Sequence, residues 1–182
     1  MEVVASAIDI KLIQKPGIPF VVGFATSAMG RCFVAHCHWG ICALSFVEEE
    51  SATLSDFEKS WPHANVLQDD SMAQLVVDQF FGLEKGHPIS VCLYGTPFQN
   101  SVWQALLTIP AGQVVAYGDV ASMIGTPQAV RAVASAIAAN RVGLLIPCHR
   151  VVRKGGPVGQ FRWGTERKAA LIEWERGHAS SL

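Results

Sequence analysis

Residues 114–140 read VVAYGDVASMIGTPQAVRAVASAIAAN, and the reading of this stretch decides the fold of the second half of the chain. Tyr117 to Ile124 fit one short helix. Gly125 follows where a left-handed turn would stop it. Thr126 and Pro127 supply a capping side chain and a proline at a first helical position, so a second helix is expected from there to about Asn140. Ala121, four residues before Gly125, is small enough for close helix packing. Two short helices about a glycine turn make a helix-turn-helix, and an ordinary helical hairpin fits the same pattern. The second helix is nearly all Ala and Val, with Arg131 as its only charge. Small side chains let a backbone come close to a duplex, and one long cation can then reach further in.

Downstream, residues 146–152 read IPCHRVV, which places a nucleophile, a base and a permanent cation in a row. The thiolate is the reactive form of a cysteine, and positive or hydrogen-bonding neighbours raise its population. Adjacent side chains of an extended peptide point opposite ways, so a direct Cys148–His149 hydrogen bond is not guaranteed, and a bridging water is the other route for the proton. A buried structural cysteine is the competing reading. The segment GTERKAALIEWERG (164–177) fits a helix capped by Thr165, with Glu166 favourable in its first turn. Leu171 and Ile172 mark the apolar stripe, and Glu175, four and three residues on, shares it, whereas Glu173 points away. A carboxylate facing a core needs a partner. His149 is the partner to name, giving a Cys148–His149–Glu175 relay; a terminal-turn glutamate reaching solvent is the alternative.

Upstream, TPFQNSVWQALLTIP (96–110) starts with a capping Thr and a proline, carries Val102, Leu106 and Ile109 as a helical stripe, and closes at Pro110. The texture changes near residues 92–96, which marks a domain boundary. Before it, GRCFVAHCHWGICALSFVEEE reads as two strands turning at Trp39–Gly40, followed by a polar exit and a helix. Met72 to Leu83 has helical spacing and is broken by Gly86, His87 and Pro88. ISVCLYG is a further strand. The fold class is therefore α+β. A small N-terminal α/β domain with antiparallel strands (1–92) precedes a mostly helical, winged-helix-like domain (93–182) that holds the helix-turn-helix.

The chain has 182 residues, 50% hydrophobic and 16% charged, a globular composition. No apolar run spans a bilayer, and the N-terminus lacks a basic leader, so neither a membrane anchor nor a signal peptide is expected. Five cysteines, an odd count without a C-x-x-C pair, argue against a disulfide framework and the usual zinc modules, and point to a reducing compartment, cytoplasmic or nuclear. The net charge of -1 hides an asymmetry. Residues 1–92 carry 5 Lys and Arg against 11 Asp and Glu, and residues 93–182 carry 9 against 4. A basic second half suits nucleic acid or another anionic partner.

The blocks GTPFQNSVWQALLTIPAGQVVAYGDVA, PQAVRAVASAIAANRVGLLIPCHRVV and FRWGTERKAALIEWE resemble the DNA-repair alkyltransferases, the methylated-DNA–protein-cysteine methyltransferases. The likeness covers residues 95–175, most specifically IPCHRVV with the RWG block; residues 20–92 are similar more loosely. It looks closest to the C-terminal half of the bacterial adaptive-response protein and its stand-alone relatives. The resemblance implies a monomer without cofactor that binds damaged duplex DNA through the minor groove and turns an alkylated base out of the stack. The alkyl group then moves irreversibly from O6 of guanine, and less from O4 of thymine, to Cys148. By the same resemblance His149 is the base acting through a water, Glu175 polarises it, and Asn140 supports the turn before the nucleophile. Arg131 fills the gap left by the base, and Tyr117 helps to turn the nucleotide and contacts the base. Val151, Phe161 and Arg162 belong to the base pocket. Thr126, Gln128, Ala129 and Ala132 belong to the DNA-facing surface.

Two positions depart from the family pattern. Phe161 stands where many relatives have Tyr, so a phenol hydrogen bond is lost. Gly143 stands where some have Pro, which is expected either to open the pocket to bulkier alkyl groups or to leave it less tightly walled. Some relatives hold a structural zinc in the first half. Here Cys32 and His36 share a strand face but lie roughly 13 Å apart, too far for one ion. Cys37 faces the other way, so zinc would need His63 or His87, and no metal is expected. Three other classes compete. Alkyltransferase-like DNA binders commonly carry Trp at the cysteine position; regulators need a further cysteine-rich module; a thiol hydrolase needs an acyl-binding motif that is not visible.

Overall fold

The computed structural model describes residues 8–12, 19–62, 64–82, 88–155 and 158–179. The chain forms two compact units that divide between Tyr94 and Gly95.

The first unit contains β1 (Asp9–Leu12), β2 (Phe20–Ser27), β3 (Gly30–Cys37), β4 (Gly40–Phe46), α1 (Glu50–Ser60), β5 (Val66–Gln68), α2 (Asp70–Phe80) and β6 (Ser90–Leu93). The six strands form one sheet in the order β1-β6-β4-β3-β2-β5. Its centre is antiparallel, as the sequence leads one to expect. The pairs β1–β6, β4–β6 and β2–β5 are parallel, which the sequence reading does not anticipate. Helices α1 and α2 supply the crossover length that the β4–β6 pairing requires. Alternate residues of β2 and β3 (Phe20, Val22 and Phe24; Phe33, Ala35 and Cys37) pack one face of the sheet with Phe57 of α1. The Phe20 and Phe57 rings meet edge to face at 5.3 Å.

The acidic run 48–50 is more than a polar exit. The Glu49 carboxylate accepts from the Ser51 and Ala52 backbone N–H groups and caps α1. Helix α2 begins at Asp70 behind an Asp69 cap, two residues before the sequence start; Leu83, Gly86 and His87, which mark its expected end, lie outside the described residues. Gly40 has φ +134°, and a Cβ there would fall 2.3 Å from the Ser90 carbonyl oxygen, so the turn into β4 demands glycine. All five cysteines are free, and Cys37, Cys42 and Cys92 sit together in the aromatic core. His63 and His87 also lie outside the described residues, among which no three ligands are grouped to hold a metal.

The second unit contains α3 (Pro97–Leu107), β7 (Val115–Ala116), α4 (Tyr117–Met123), α5 (Val130–Ala138), β8 (Val151–Val152) and α6 (Thr165–Ala179). Helix α3 starts as expected: the Gln99 N–H donates to the Thr96 hydroxyl, the Thr96 N–H donates to the Gln99 side chain, and Pro97 opens the first turn. Val102, Leu106 and Ile109 are buried, and the Trp103 indole N–H donates to the Ala136 carbonyl at 2.8 Å, tying α3 to α5.

Helix α4 and Gly125, at φ +72°, follow the sequence expectation. The start of α5 does not. The Thr126 N–H closes α4 by donating to the Ala121 carbonyl, so Thr126 belongs to the end of one helix rather than the start of the next. Residues 126–129 make a separate turn, closed by the Ala129 N–H on the Thr126 carbonyl, and α5 begins at Val130 with no side-chain cap. Strands β7 and β8 pair in parallel, Val115 with Val151 and Ala116 with Val152. At two residues each they carry no periodicity for a sequence to reveal. No helix among the described residues is long and apolar enough to cross a membrane.

Candidate active site

A short stapled turn builds the centre of the second unit. Asn140, buried at the end of α5, accepts from the Val142 N–H at 2.9 Å and donates to the Ile146 carbonyl at 3.0 Å. Within this turn Leu144 has φ +64°, a left-handed conformation costly for a branched side chain and held here by burial and the surrounding hydrogen bonds. Cys148, His149 and Arg150 then form one turn of 3-10 helix, and the chain enters β8 directly. The β7–β8 pairing places Tyr117, the first residue after β7, on the same side of the fold as the turn that carries Cys148.

Helix α6 closes the site from behind. It begins at Thr165, so that residue is its first helical position and not the cap expected from the sequence. Lys168, Leu171, Ile172 and Glu175 form its buried stripe. Glu175 Oε1 lies 2.8 Å from His149 Nε2, and His149 is 0% exposed. The Gly112 N–H donates to Glu175 Oε2, and Arg150 donates to both oxygens and to the Ile109 carbonyl. Burial pushes the Glu175 carboxyl up, but the hydrogen bonds and charge brought by His149 and Arg150 outweigh it and hold the carboxyl well below its usual range. Burial also lowers the His149 pKa, so the ring is neutral near pH 7. An ionised Glu175 fixes the tautomer: Nε2–H donates to it, and Nδ1 keeps its lone pair. Nδ1 is buried and has no protein partner.

Cys148 is 6% exposed and opens onto a cavity of about 700 Å³. Burial raises its pKa; the Asn140 side chain, the Lys168 charge and the Cys148 and His149 N–H groups oppose the rise without cancelling it. The resting thiol is therefore protonated and needs a base. Of the residues singled out from sequence, Tyr117, Arg131, Asn140, Cys148, Phe161 and Arg162 line this cavity. His149 and Glu175 stand behind it, and Val151 is fully buried beside it. Thr126, Gln128 and Ala132 are exposed and Ala129 half-buried, all outside the cavity lining.

Two residues missing from the sequence-derived set act here. Arg150 was legible only as a cation; its clamp on Glu175 depends on a contact 25 residues away. Lys168 is 1% exposed, and its ammonium donates to the Val151 carbonyl and, at 3.5 Å, to that of Gln160. Burial lowers its pKa to about 8, against the opposing pull of Cys148. The signal for it was present: Lys168 precedes Leu171, Ile172 and Glu175 by three, four and seven residues, on the same stripe.

The model of the 6-O-methylguanine DNA methyltransferase DNA-binding domain matches residues 97–177. The chain is 43% identical over 155 residues to the bifunctional transcriptional activator/DNA repair enzyme Ada of Escherichia coli, covering 83% of this chain and 44% of that one. The regulatory protein ada of Salmonella typhimurium is 42% identical, with 91% and 48% covered. The chain thus spans about half the length of these two curated relatives. The inducible methylated-DNA–protein-cysteine methyltransferase of Bacillus subtilis is 38% identical over 68% of this chain and 72% of its own. Among solved structures, Mycobacterium tuberculosis OGT in complex with DNA superposes with a TM-score of 0.69 at 32% identity, over 86% of this chain and 93% of that one. The O6-methylguanine methyltransferase of the same organism gives 0.69 at 30% identity, over 87% and 93%. With a relative matched over most of its own length and a fold shared across nearly the whole of a solved structure, this chain belongs to the methylated-DNA–protein-cysteine methyltransferase family.

Proposed function

We propose that the protein repairs duplex DNA by taking the alkyl group of O6-alkylguanine, and less readily of O4-alkylthymine, onto Cys148 in a single turnover. The observation that carries this reading is Cys148 at the wall of a cavity, with burial raising its pKa, and His149 bonded to Glu175 behind it. The proton leaves the thiol through a water to His149 Nδ1, and Glu175 stabilises the imidazolium that forms. The sulfur attacks the alkyl carbon, an S–C bond forms and the C–O bond to guanine breaks. The thioether has no route back, so each molecule acts once. Tyr117 donates a proton to the departing guanine: burial first, and then the Cys148 charge, raise its pKa and keep the phenol protonated.

The helices α4 and α5 with the Gly125 turn act as a helix-turn-helix in the minor groove, in a winged-helix-like domain of residues 93–182 that follows an α/β domain of residues 1–92. Thr126, Gln128, Ala129 and Ala132 form the small-residue surface beside the backbone. Arg131 occupies the space of the extruded base, whose unstacking costs a few kcal/mol that pocket contacts and this side chain offset. Val151, Phe161 and Arg162 frame the base, and Asn140 holds the turn beneath it. The protein works as a cytoplasmic monomer, or in the nucleus of a eukaryote, without cofactor or metal.

Incubation with duplex containing O6-methylguanine should add one methyl mass to the peptide that holds Cys148. Cys148→Ala should bind the damaged duplex and accept nothing; removal of the lesion by that variant would refute the assignment of the nucleophile. A DNA-binding module that transfers nothing is the second reading, and Cys148 at the cavity wall, where such modules commonly carry Trp, speaks against it.

A further inference from the structure

The cavity beside Cys148 is lined by three arginines, Arg131, Arg153 and Arg162, and by no carboxylate. Such a site carries uncompensated positive charge and attracts anions. The three cations are not equivalent. Arg131 has a place in the proposed function inside the duplex. The Arg162 guanidinium lies over the Trp163 ring, 6.0 Å from its centroid. Arg153 is exposed, has no carboxylate partner among the described residues, and has no role from the sequence. Its stem runs beside Gly159, whose φ of +77° keeps side chains away; a Cβ there would stand 3.5 Å from Arg153 Cγ. The guanidinium is near enough to lower the pKa of Tyr117 against burial and the Cys148 charge. Arg153 therefore stands at the cavity between solvent and the residues that meet the base.

We infer that Arg153 binds a phosphate flanking the extruded nucleotide and so helps to hold that nucleotide in the cavity. This rests on the proposed function. A base and a sugar offer no negative charge, so the phosphates are the only anions a nucleotide brings to a free guanidinium. The planar fork of Arg matches two phosphate oxygens at once, which Lys cannot do. The second possible role for Arg153, tuning Tyr117 or the thiol through its field, acts on the chemical step whatever carries the base.

The two roles separate on two substrates. Second-order rates of Cys148 alkylation are measured by mass with duplex containing O6-methylguanine and with free O6-benzylguanine, for the wild type, Arg153→Ala and Arg153→Lys, each first compared by thermal melting. The expected result is a loss with Arg153→Ala of roughly tenfold or more on the duplex and a much smaller loss on the free base. Partial recovery is expected in Arg153→Lys, as is a slope of log rate against log salt shallower by about 0.9 in the Ala variant. Equal losses on both substrates, or an unchanged salt slope, overturn the phosphate role. A wild type that alkylates Cys148 from neither substrate refutes the proposed function, and this inference falls with it.

Discussion

Lys168 is the most deeply buried cation in the described part of the second unit, and it has carbonyl partners but no carboxylate. The Cys148 thiolate is the group that favours its charged form, since each raises the population of the other's charged form. The sign of the linkage follows. The folded-state pKa of about 8 lies below the ordinary 10.5, so between those values the unfolded chain holds a proton that the folded one has released. The contribution of this group to stability is unfavourable below about pH 8 and improves as pH rises through that window. Lys168→Met should abolish this rise in urea midpoint between about pH 8 and 10.5. The same variant removes a cation from beside the thiol, so half-maximal methyl transfer should need a higher pH than in the wild type. A variant that keeps both profiles would leave Lys168 a packing residue. The His149–Glu175 contact at this scale was legible because IPCHRVV sets His149 beside Cys148 and a helical count reaches Glu175. The Arg150 clamp was hidden, since it forms only when α6 packs back on the 3-10 turn.

Helices α4 and α5 separate what local sequence fixes from what it leaves open. Gly125 was legible because a left-handed position leaves a helix few other choices, and it stands at φ +72°. Thr126–Pro127 looked like a helix start, as Thr96–Pro97 is, yet only the latter has a Gln three residues on to complete a capping box. At Thr126 the backbone N–H is committed to Ala121, and the helix waits until Val130. Two substitutions test this difference. Gly125→Ala meets no atom within 4 Å, so its cost is conformational alone, about 1 kcal/mol in chemical denaturation. Thr126→Ala should cost less than about 0.5 kcal/mol, because no helix is capped by its hydroxyl. The reverse order would mean that Thr126 caps α5 after all. The β7–β8 pair and the parallel edges of the large sheet escaped the sequence for a different reason: pairing partners are set by residues far along the chain, and two-residue strands carry no pattern.

The charge asymmetry of the whole chain puts a bound on the DNA binding proposed for it. Residues 93–182 contain nine Lys and Arg, but four are already committed. Arg150 is held by Glu175, Arg176 by Glu173, Lys168 is buried on carbonyls, and Arg167 donates to the Trp163 carbonyl. Arg131, Arg141, Arg153, Lys154 and Arg162 remain exposed and without a carboxylate partner among the described residues. Each phosphate neutralised contributes about 0.9 to the slope of log affinity against log salt, so five cations limit it to about −4.5. Affinity for a methylated duplex should therefore fall by no more than roughly 500-fold between about 50 and 200 mM salt. Changing the bases beside the lesion should matter far less, because in the proposed docking the minor groove shows a degenerate pattern and the cavity receives only the damaged nucleotide. A steeper salt slope, measured by fluorescence anisotropy on the Cys148→Ala protein, would require phosphate contacts from residues 1–92. Those residues hold only 5 Lys and Arg among 11 Asp and Glu, so a steep slope would move the DNA-binding surface beyond the basic half that the sequence marks out.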